Sequence, residues 1–227
     1  MTFRVLALET SSPVCRIAVL RLDARPRSAL DALEAGVAVE HAATSGFARH
    51  SDVLYGVLDA ALRDARTRVR DLDGIAISAG PGSFTGLRVG LAVAKVLALF
   101  GRIPLAGVST LEAMALEGTR ASTAGVLVPT LDARRGDVYA AVYRRAGGGV
   151  RKTGGPWVID PGRLAARVPA GALAVTEPPR AATIAALGAI RLLAGRLDDP
   201  ARLVPVYLRR PEAVEKRSAE RRARRRS

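Results

Sequence analysis

The sequence predicts an α/β protein with an open mixed sheet, on three observations. Three strand-like runs open the chain over residues 4–10, 14–20 and 35–43. An amphipathic run follows, and then a glycine-rich turn, Gly80-Pro81-Gly82-Ser83-Phe84-Thr85-Gly86, joins an apolar strand to an apolar helix. Hairpin-linked strands and then helix, strand, helix is the order of an α/β unit.

Each element has a local reason. Ser11-Ser12-Pro13 separates the first two strands as a tight turn, while a longer polar connection over residues 23–31 leads to the third. Over residues 49–65, Leu54, Val57, Leu58, Ala61 and Leu62 recur at spacings of three and four, the signature of a helix with one apolar face. Residues 72–79 form a short strand, and residues 86–100 a helix whose only charges are Arg88 and Lys95. One sheet-facing side cannot account for so apolar a helix, so a second surface must cover it, either another subunit or the rest of the chain. Because Gly86 and Gly90 permit close backbone approach, a helix-to-helix contact is expected there. A side chain at Gly90 is then expected to disturb association more than folding.

A second unit begins after the strand at 103–107. Ser109-Thr110-Leu111-Glu112 has the pattern of a capping box, opening a helix to about residue 117. Residues 126–131 and 138–143 read as strands joined by a charged turn, and Gly147-Gly148-Gly149 as a flexible excursion. Asp160-Pro161 starts a short helix, cap residue followed by proline. A short strand at 173–176, an alanine-rich helix at 181–197 and an extended run at 203–210 complete the ordered chain. Beyond Pro211 the charge density predicts disorder.

At 227 residues the chain can build one large domain or two small ones, with a core mainly of Ala, Val and Leu and only 4% aromatic residues. No uninterrupted apolar run is long enough to cross a bilayer, and no basic region with a short apolar stretch opens the sequence. A soluble, cytoplasmic protein without membrane association is expected. Cys15 is the only cysteine and falls within a strand, which points to a buried structural thiol. His41 and His50, nine residues apart, make a poor metal pair. The formal net charge of +14 would attract a polyanion, and in residues 212–227 seven Lys or Arg face three Glu. The arginines are otherwise scattered without interleaved aromatics, so arginine bias and direct RNA contact explain the charge equally well.

The glycine turn matches no nucleotide motif. A Walker loop requires lysine and then a hydroxyl residue after its last glycine, where this chain has Leu87 and Arg88. A dinucleotide fingerprint places glycines at relative positions one, three and six, whereas Gly80, Gly82 and Gly86 stand at one, three and seven. Two readings remain: an anion held by the helix N-terminus with help from Ser83 and Thr85, or a rigid turn that aims the helix. Glu9 and Thr10, with Ser11 and Ser12, are likewise either a weak phosphate or metal-water site or the end of a strand. Asp132, Arg134, Arg135 and Asp137 either touch a partner or form a solvated, salt-bridged turn. No catalytic residue and no metal ligand is identified, since neither a nucleophile with its base nor a carboxylate pair is assembled. Tyr139 and Tyr143 share a strand face and belong to the core or an interface.

The run from Gly80 to Gly90, with Leu6-Ala7-Leu8-Glu9-Thr10-Ser11, resembles the TsaB family. Gly107-Val108-Ser109-Thr110-Leu111, the stretch from Leu131 to Tyr139, and Pro205-Val206-Tyr207-Leu208-Arg209 agree with it in the right order. The resemblance implies an actin-like ATPase (ASKHA) fold of two ribonuclease-H-like units, here residues 1–107 and 108–210, followed by a basic tail at 211–227. It implies a non-catalytic accessory subunit that pairs with the catalytic paralogue TsaD, joined by the ATPase TsaE. The complex makes threonylcarbamoyladenosine at position 37 of tRNAs reading codons that start with A. ATP and Mg²⁺ would be bound by the partners, tRNA would be met through the complex, and a homodimer would form when the chain is alone. The implied interface is Leu54, Val57, Leu58, Ala61, Gly86, Gly90, Val93, Ala94 and Leu97. The paralogue's two metal-ligand histidines, four apart, are absent, because Leu54 stands four residues after His50. Glu9 replaces the family's common Asp. The group is also called glycoprotease-like, but no residues for proteolysis are assembled. The alternatives are a phosphotransferase of the same fold and a tRNA-binding module.

Overall fold

The computed structural model describes residues 2–44 and 50–209. The expected start of the second-helix region at residue 49 and the basic tail lie outside those residues. The first half contains β1 (Phe3–Glu9), β2 (Val14–Leu22), α1 (Ala29–Ala35), β3 (Val37–Thr44), α2 (His50–Asp64), β4 (Gly74–Gly80), α3 (Phe84–Gly101) and β5 (Leu105–Ser109). The second contains α4 (Thr110–Ala121), β6 (Val126–Asp132), β7 (Val138–Ala146), β8 (Gly149–Ile159), α5 (Pro161–Leu164), β9 (Leu173–Val175) and α6 (Ala181–Leu193).

The five strands of the first sheet lie in the order β3-β2-β1-β4-β5, and the four of the second in the order β8-β7-β6-β9. In each, three antiparallel strands are followed by one parallel to the first. The halves therefore repeat one topology, the second stopping one strand short. This is the actin-like ASKHA architecture of two mixed α/β lobes.

The period of two in β1 sorts its residues onto two unlike faces. Leu6 and Leu8, with Ile17, Ile75 and Ile77, form a large-residue face packed under α2 and α3. Val5 and Ala7, with Ala18, Ala76 and Ala106, form a small-residue face covered by α1 and α6. Small side chains let the alanine-rich α6 approach the sheet closely: a Cβ built on Gly188 would stand 2.3 Å from the Ala76 Cβ.

Chain order and packing part company at the expected division. The boundary after Gly107 falls inside β5, and α6, though late in the chain, lies on the first sheet. α4, by contrast, stays with its own half, packing Leu111, Met114 and Ala115 against Leu127, Ala141 and Tyr143 of the second sheet. The first sheet is thus covered in part by a helix from the second half.

Three local readings change. The connection at 23–31 runs into α1, whose cap Ser28 accepts from the Asp31 amide at 3.1 Å. Its seven residues are too few for periodicity to stand out, and it folds by docking on α6. The triple glycine is no flexible excursion but the turn of the β7–β8 hairpin, tied to α1 by the Leu30 amide donating to the Gly148 carbonyl at 3.1 Å. At Ser109 only half of a capping box forms: the hydroxyl accepts from the Glu112 amide at 3.4 Å, while the Glu112 carboxylate pairs with Arg191 of α6. Cys15 is buried as expected, and burial with the Glu9 charge pushes its thiol up to about 11.

The close approach at Gly188 sets a test of the small-residue face. Gly188→Val should cost about 1–3 kcal/mol by overpacking, read in urea unfolding as a lower midpoint with unchanged slope.

Candidate functional site

The glycine turn lies against the β1–β2 hairpin, and the fit between them is made of backbone. A Cβ on Gly82 would stand 2.5 Å from the Ser11 carbonyl oxygen, one on Gly86 2.1 Å from the Thr10 carbonyl oxygen, and one on Gly90 2.2 Å from Thr10 Oγ1. Gly80, at φ +105, faces the Val206 carbonyl at 2.9 Å in the same sense. The Ser83 amide donates to the Ser11 carbonyl at 2.8 Å, fixing the two loops together. The glycines give their own chain the room that a phosphate would need.

The hydroxyls are accounted for in the same way. Ser83 is the N-cap of α3, accepting from the Gly86 amide at 3.1 Å. The Leu87 amide donates to the Ser83 carbonyl at 2.9 Å, so the first turn of α3 is capped by the turn itself. Thr85 is exposed beside it. Thr10 donates its amide to Ser78 Oγ at 3.3 Å, and its own hydroxyl, pressed on Gly90, is buried without a hydrogen-bond partner. Among the described residues no group of three His, Cys, Asp or Glu is placed to hold a metal. The nucleotide and Mg²⁺ of actin-like ATPases therefore do not fit this turn.

Glu9 is fully buried at the base of the hairpin. Its carboxyl accepts from the Ser11 amide at 2.7 Å and the Ser11 hydroxyl at 2.6 Å. Burial pushes its pKa up to about 7 against the opposing pull of Ser11, Ser78 and Arg16. Desolvation disfavours the charged form, and two donors from one serine do not offset it. The group is a buried hairpin anchor with no opening to a ligand.

The charged turn is organised by the distant end of the chain. Arg134, Arg135 and Gly136 all have positive φ, and the Arg134 amide donates to Asp132 Oδ1 at 2.7 Å. Into this turn Arg209 donates to the carbonyls of Ala133 at 2.7 Å and Arg134 at 2.9 Å, and it pairs with Asp137. The same segment is fastened upstream: the Asp198 amide donates to the Leu105 carbonyl at 2.9 Å, the Gly107 amide donates to Asp198 Oδ2 at 2.8 Å, and the Val206 amide donates to the Ala79 carbonyl at 2.7 Å. Residues 198–209 thus strap the second unit to the first. Tyr143 is buried and Tyr139 half-buried, as core residues are.

The expected interface residues fall mostly inside the chain. Leu54, Val57, Leu58, Ala61 and Ala94 are buried under the large-residue face, and Gly86 and Gly90 meet Thr10, not another helix. Val93 and Leu97 are half-buried against the same core. A side chain at Gly90 would therefore strike Thr10 and disturb folding, contrary to the expectation that it would act on association. What the helices leave uncovered is different: Phe84, Ala92, Val96, Leu99 and Phe100 on α3, Tyr55 on α2, and Tyr207 beside them. Phe100 is 87% exposed and Val96 53%. The Tyr207 and Phe84 rings stand 4.9 Å apart, with the Arg88 guanidinium 5.1 Å over Phe84. A helical wheel from 84 to 100 contains the signal that separates the faces, because 86, 87, 90, 91, 94 and 98 are buried at steps of three and four. α3 is by length and composition apolar enough to cross a membrane, yet its inner stripe is packed on the sheet.

A two-lobed actin-like fold whose glycine turn is filled by its own hairpin defines an ASKHA-type protein without the usual nucleotide grip. A family model described as TsaD, tRNA N6-adenosine threonylcarbamoyltransferase, matches residues 36–213. An uncharacterized protein of Mycobacterium tuberculosis is 36% identical over 220 residues, 92% of this chain and 93% of its own length. The protein called TsaB, for tRNA threonylcarbamoyladenosine biosynthesis, in Bacillus subtilis is 35% identical over 63% of this chain and 56% of its own length. The crystal structure of a Pseudomonas aeruginosa protein described as similar to peptidase YeaZ aligns with a TM-score of 0.77. It covers 91% of this chain and all of that one, at 26% identity. The chain belongs to the TsaD family and is related within it to the proteins called TsaB and YeaZ.

The raised pKa of Glu9 has a definite sign. The folded protein keeps this proton to higher pH than the unfolded chain, so the contribution of Glu9 to stability is full below about pH 4.5 and is lost as pH rises through about 7. Glu9→Gln should remove that fall, a relative gain of about 2–3 kcal/mol at pH 8 over pH 4, measured by urea unfolding at the two pH values. A slope unchanged by the substitution would contradict the assignment.

Proposed function

We propose that the chain is a non-catalytic accessory subunit that pairs with a TsaD-type partner in the synthesis of threonylcarbamoyladenosine in tRNA. One contrast carries this reading: the glycine turn is closed by Thr10 and Ser11, while the outer face of the helix it launches, from Phe84 to Phe100, is apolar and uncovered. A turn that holds no ligand still fixes where that face points. Uncovered apolar surface of this kind marks a contact with another protein.

In this reading the partner supplies the transferase site, with ATP and Mg²⁺ bound by partner subunits, and TsaE joins the pair. tRNA is met through the assembled complex. Without the partner, the same face would pair two copies of this chain as a homodimer. The phosphotransferase alternative requires phosphate loops that the filled turn does not supply.

Reconstitution tests the role. Purified TsaD, TsaE, tRNA and threonylcarbamoyl-adenylate should form the modified nucleoside only when this chain is added, and the chain alone should not hydrolyse ATP. Equal product without it would refute the role. The surface is tested separately by Val96→Asp combined with Leu99→Asp. The double variant should lose partner affinity by at least about tenfold in a titration, while its stability stays within about 1 kcal/mol, because both positions are exposed.

A further inference from the structure

On the opposite end of the first sheet from the glycine turn, the large-residue face opens into a cleft of about 370 Å³. Its floor is Val19 and Val39, neighbours across β2 and β3, and its rim carries Arg4, Arg21 and Arg66 together with Asp64. This volume is within the range of small-molecule sites, which runs from roughly 300 to 1,000 Å³. None of these residues takes part in the proposed partner face.

The charge in the cleft is unusual. Arg4 and Arg21 are direct cross-strand partners of the β1–β2 ladder, so their side chains leave the sheet on one face. Like charges in that relation are destabilising unless something negative lies between them. Arg21 has Asp23 at 3.5 Å, an exposed pair. Among the described residues no carboxylate pairs with the Arg4 or Arg66 guanidinium. Arg66, itself left-handed at φ +48, lines the cleft from two residues past the end of α2. Asp64 stands on the same rim, its Oδ2 2.9 Å from His41 Nε2. The Thr67 hydroxyl is turned away, donating to the Ala65 carbonyl at 2.9 Å.

Three arginines, from β1, β2 and the turn after α2, therefore line one cleft above an apolar floor. Guanidinium forks match the oxygens of a phosphate, and a dianion would remove the repulsion built into the ladder. We infer that this cleft binds a small phosphorylated ligand, its phosphate among Arg4, Arg21 and Arg66 and its less polar body on Val19 and Val39. A nucleoside monophosphate and a sugar phosphate share this chemistry.

Calorimetric titration of the full chain at fixed ionic strength tests it, with inorganic phosphate, ribose 5-phosphate, adenosine 5′-monophosphate and adenosine as probes. One of the two phosphate esters should bind saturably, one per chain, and more tightly than inorganic phosphate; adenosine should not bind. The tighter ester identifies the source as nucleotide or sugar. Arg4→Gln and Arg66→Gln should each weaken binding by at least about tenfold, as expected for a lost charged hydrogen bond. Neither should melt below the wild type, since no ion pair among the described residues is lost, and Arg4→Gln, which relieves the repulsion with Arg21, should melt at or above it. Arg151→Gln, at an exposed arginine on the second sheet, should bind as wild type. Absence of saturable binding, adenosine binding as well as its phosphate, or an equal loss in Arg151→Gln would each overturn the assignment.

Discussion

The structure depends on one backbone contact, the seating of Thr10 and Ser11 against glycines spaced four residues apart at 82, 86 and 90. Any Cβ on that stripe would overlap the hairpin, so the hairpin, the turn and the start of α3 form one rigid block. The contact fixes the axis of α3, which settles its inner stripe on β4 and leaves its outer stripe in solvent. It also closes the turn to phosphate. A single packing requirement thus removes one function and sets up another surface.

The second constraint is the crossing of α6 from the second half of the chain to the first sheet. It covers the small-residue face there together with α1, while α4 stays on the sheet of its own half. The segment 198–209 then pins β5, the glycine turn and the β6–β7 turn together through hydrogen bonds to Leu105, Ala79, Ala133 and Arg134. The charge of the Asp132–Asp137 turn is used in this fastening, through Asp137 and Arg209. The segment is tied to the first lobe at two points and to the second at one, so the mutual position of the lobes is set by side-chain and backbone contacts as well as by chain connection.

Local patterns were legible where they were long or had caps. The period of two in β1 and β2, the three-four spacing of α2, the Ser109 and Asp160 caps and the strand-turn-helix around Gly80 all follow from nearby residues. α1 was not legible, because seven residues carry too little periodicity and its stability comes from α6. β8 was hidden by Gly149, Gly154 and Gly155, which weaken strand propensity, and it forms because β7 pairs with it. At the candidate site, composition located α3 and its excess of apolar residues, but the interface expected on it falls on the stripe that the structure buries. Gly86 and Gly90 suit a helix contact as well as a hairpin contact, and nothing local distinguishes them. The Arg4–Arg21 pairing is invisible for the same reason: it exists only in the ladder register.

By itself the sequence determined the α/β class, the position of the glycine turn, the missing lysine and metal hydroxyl after it, and the strongly apolar helix that follows. These rest on periodicity, capping and side-chain chemistry, which act over a few residues. Only the tertiary structure decided what the glycines touch, which stripe of α3 faces solvent, which sheet α6 covers and where the arginines gather. Those outcomes depend on contacts between residues as far apart as Thr10 and Gly90 or Ala133 and Arg209, and such contacts are set by packing the whole chain at once.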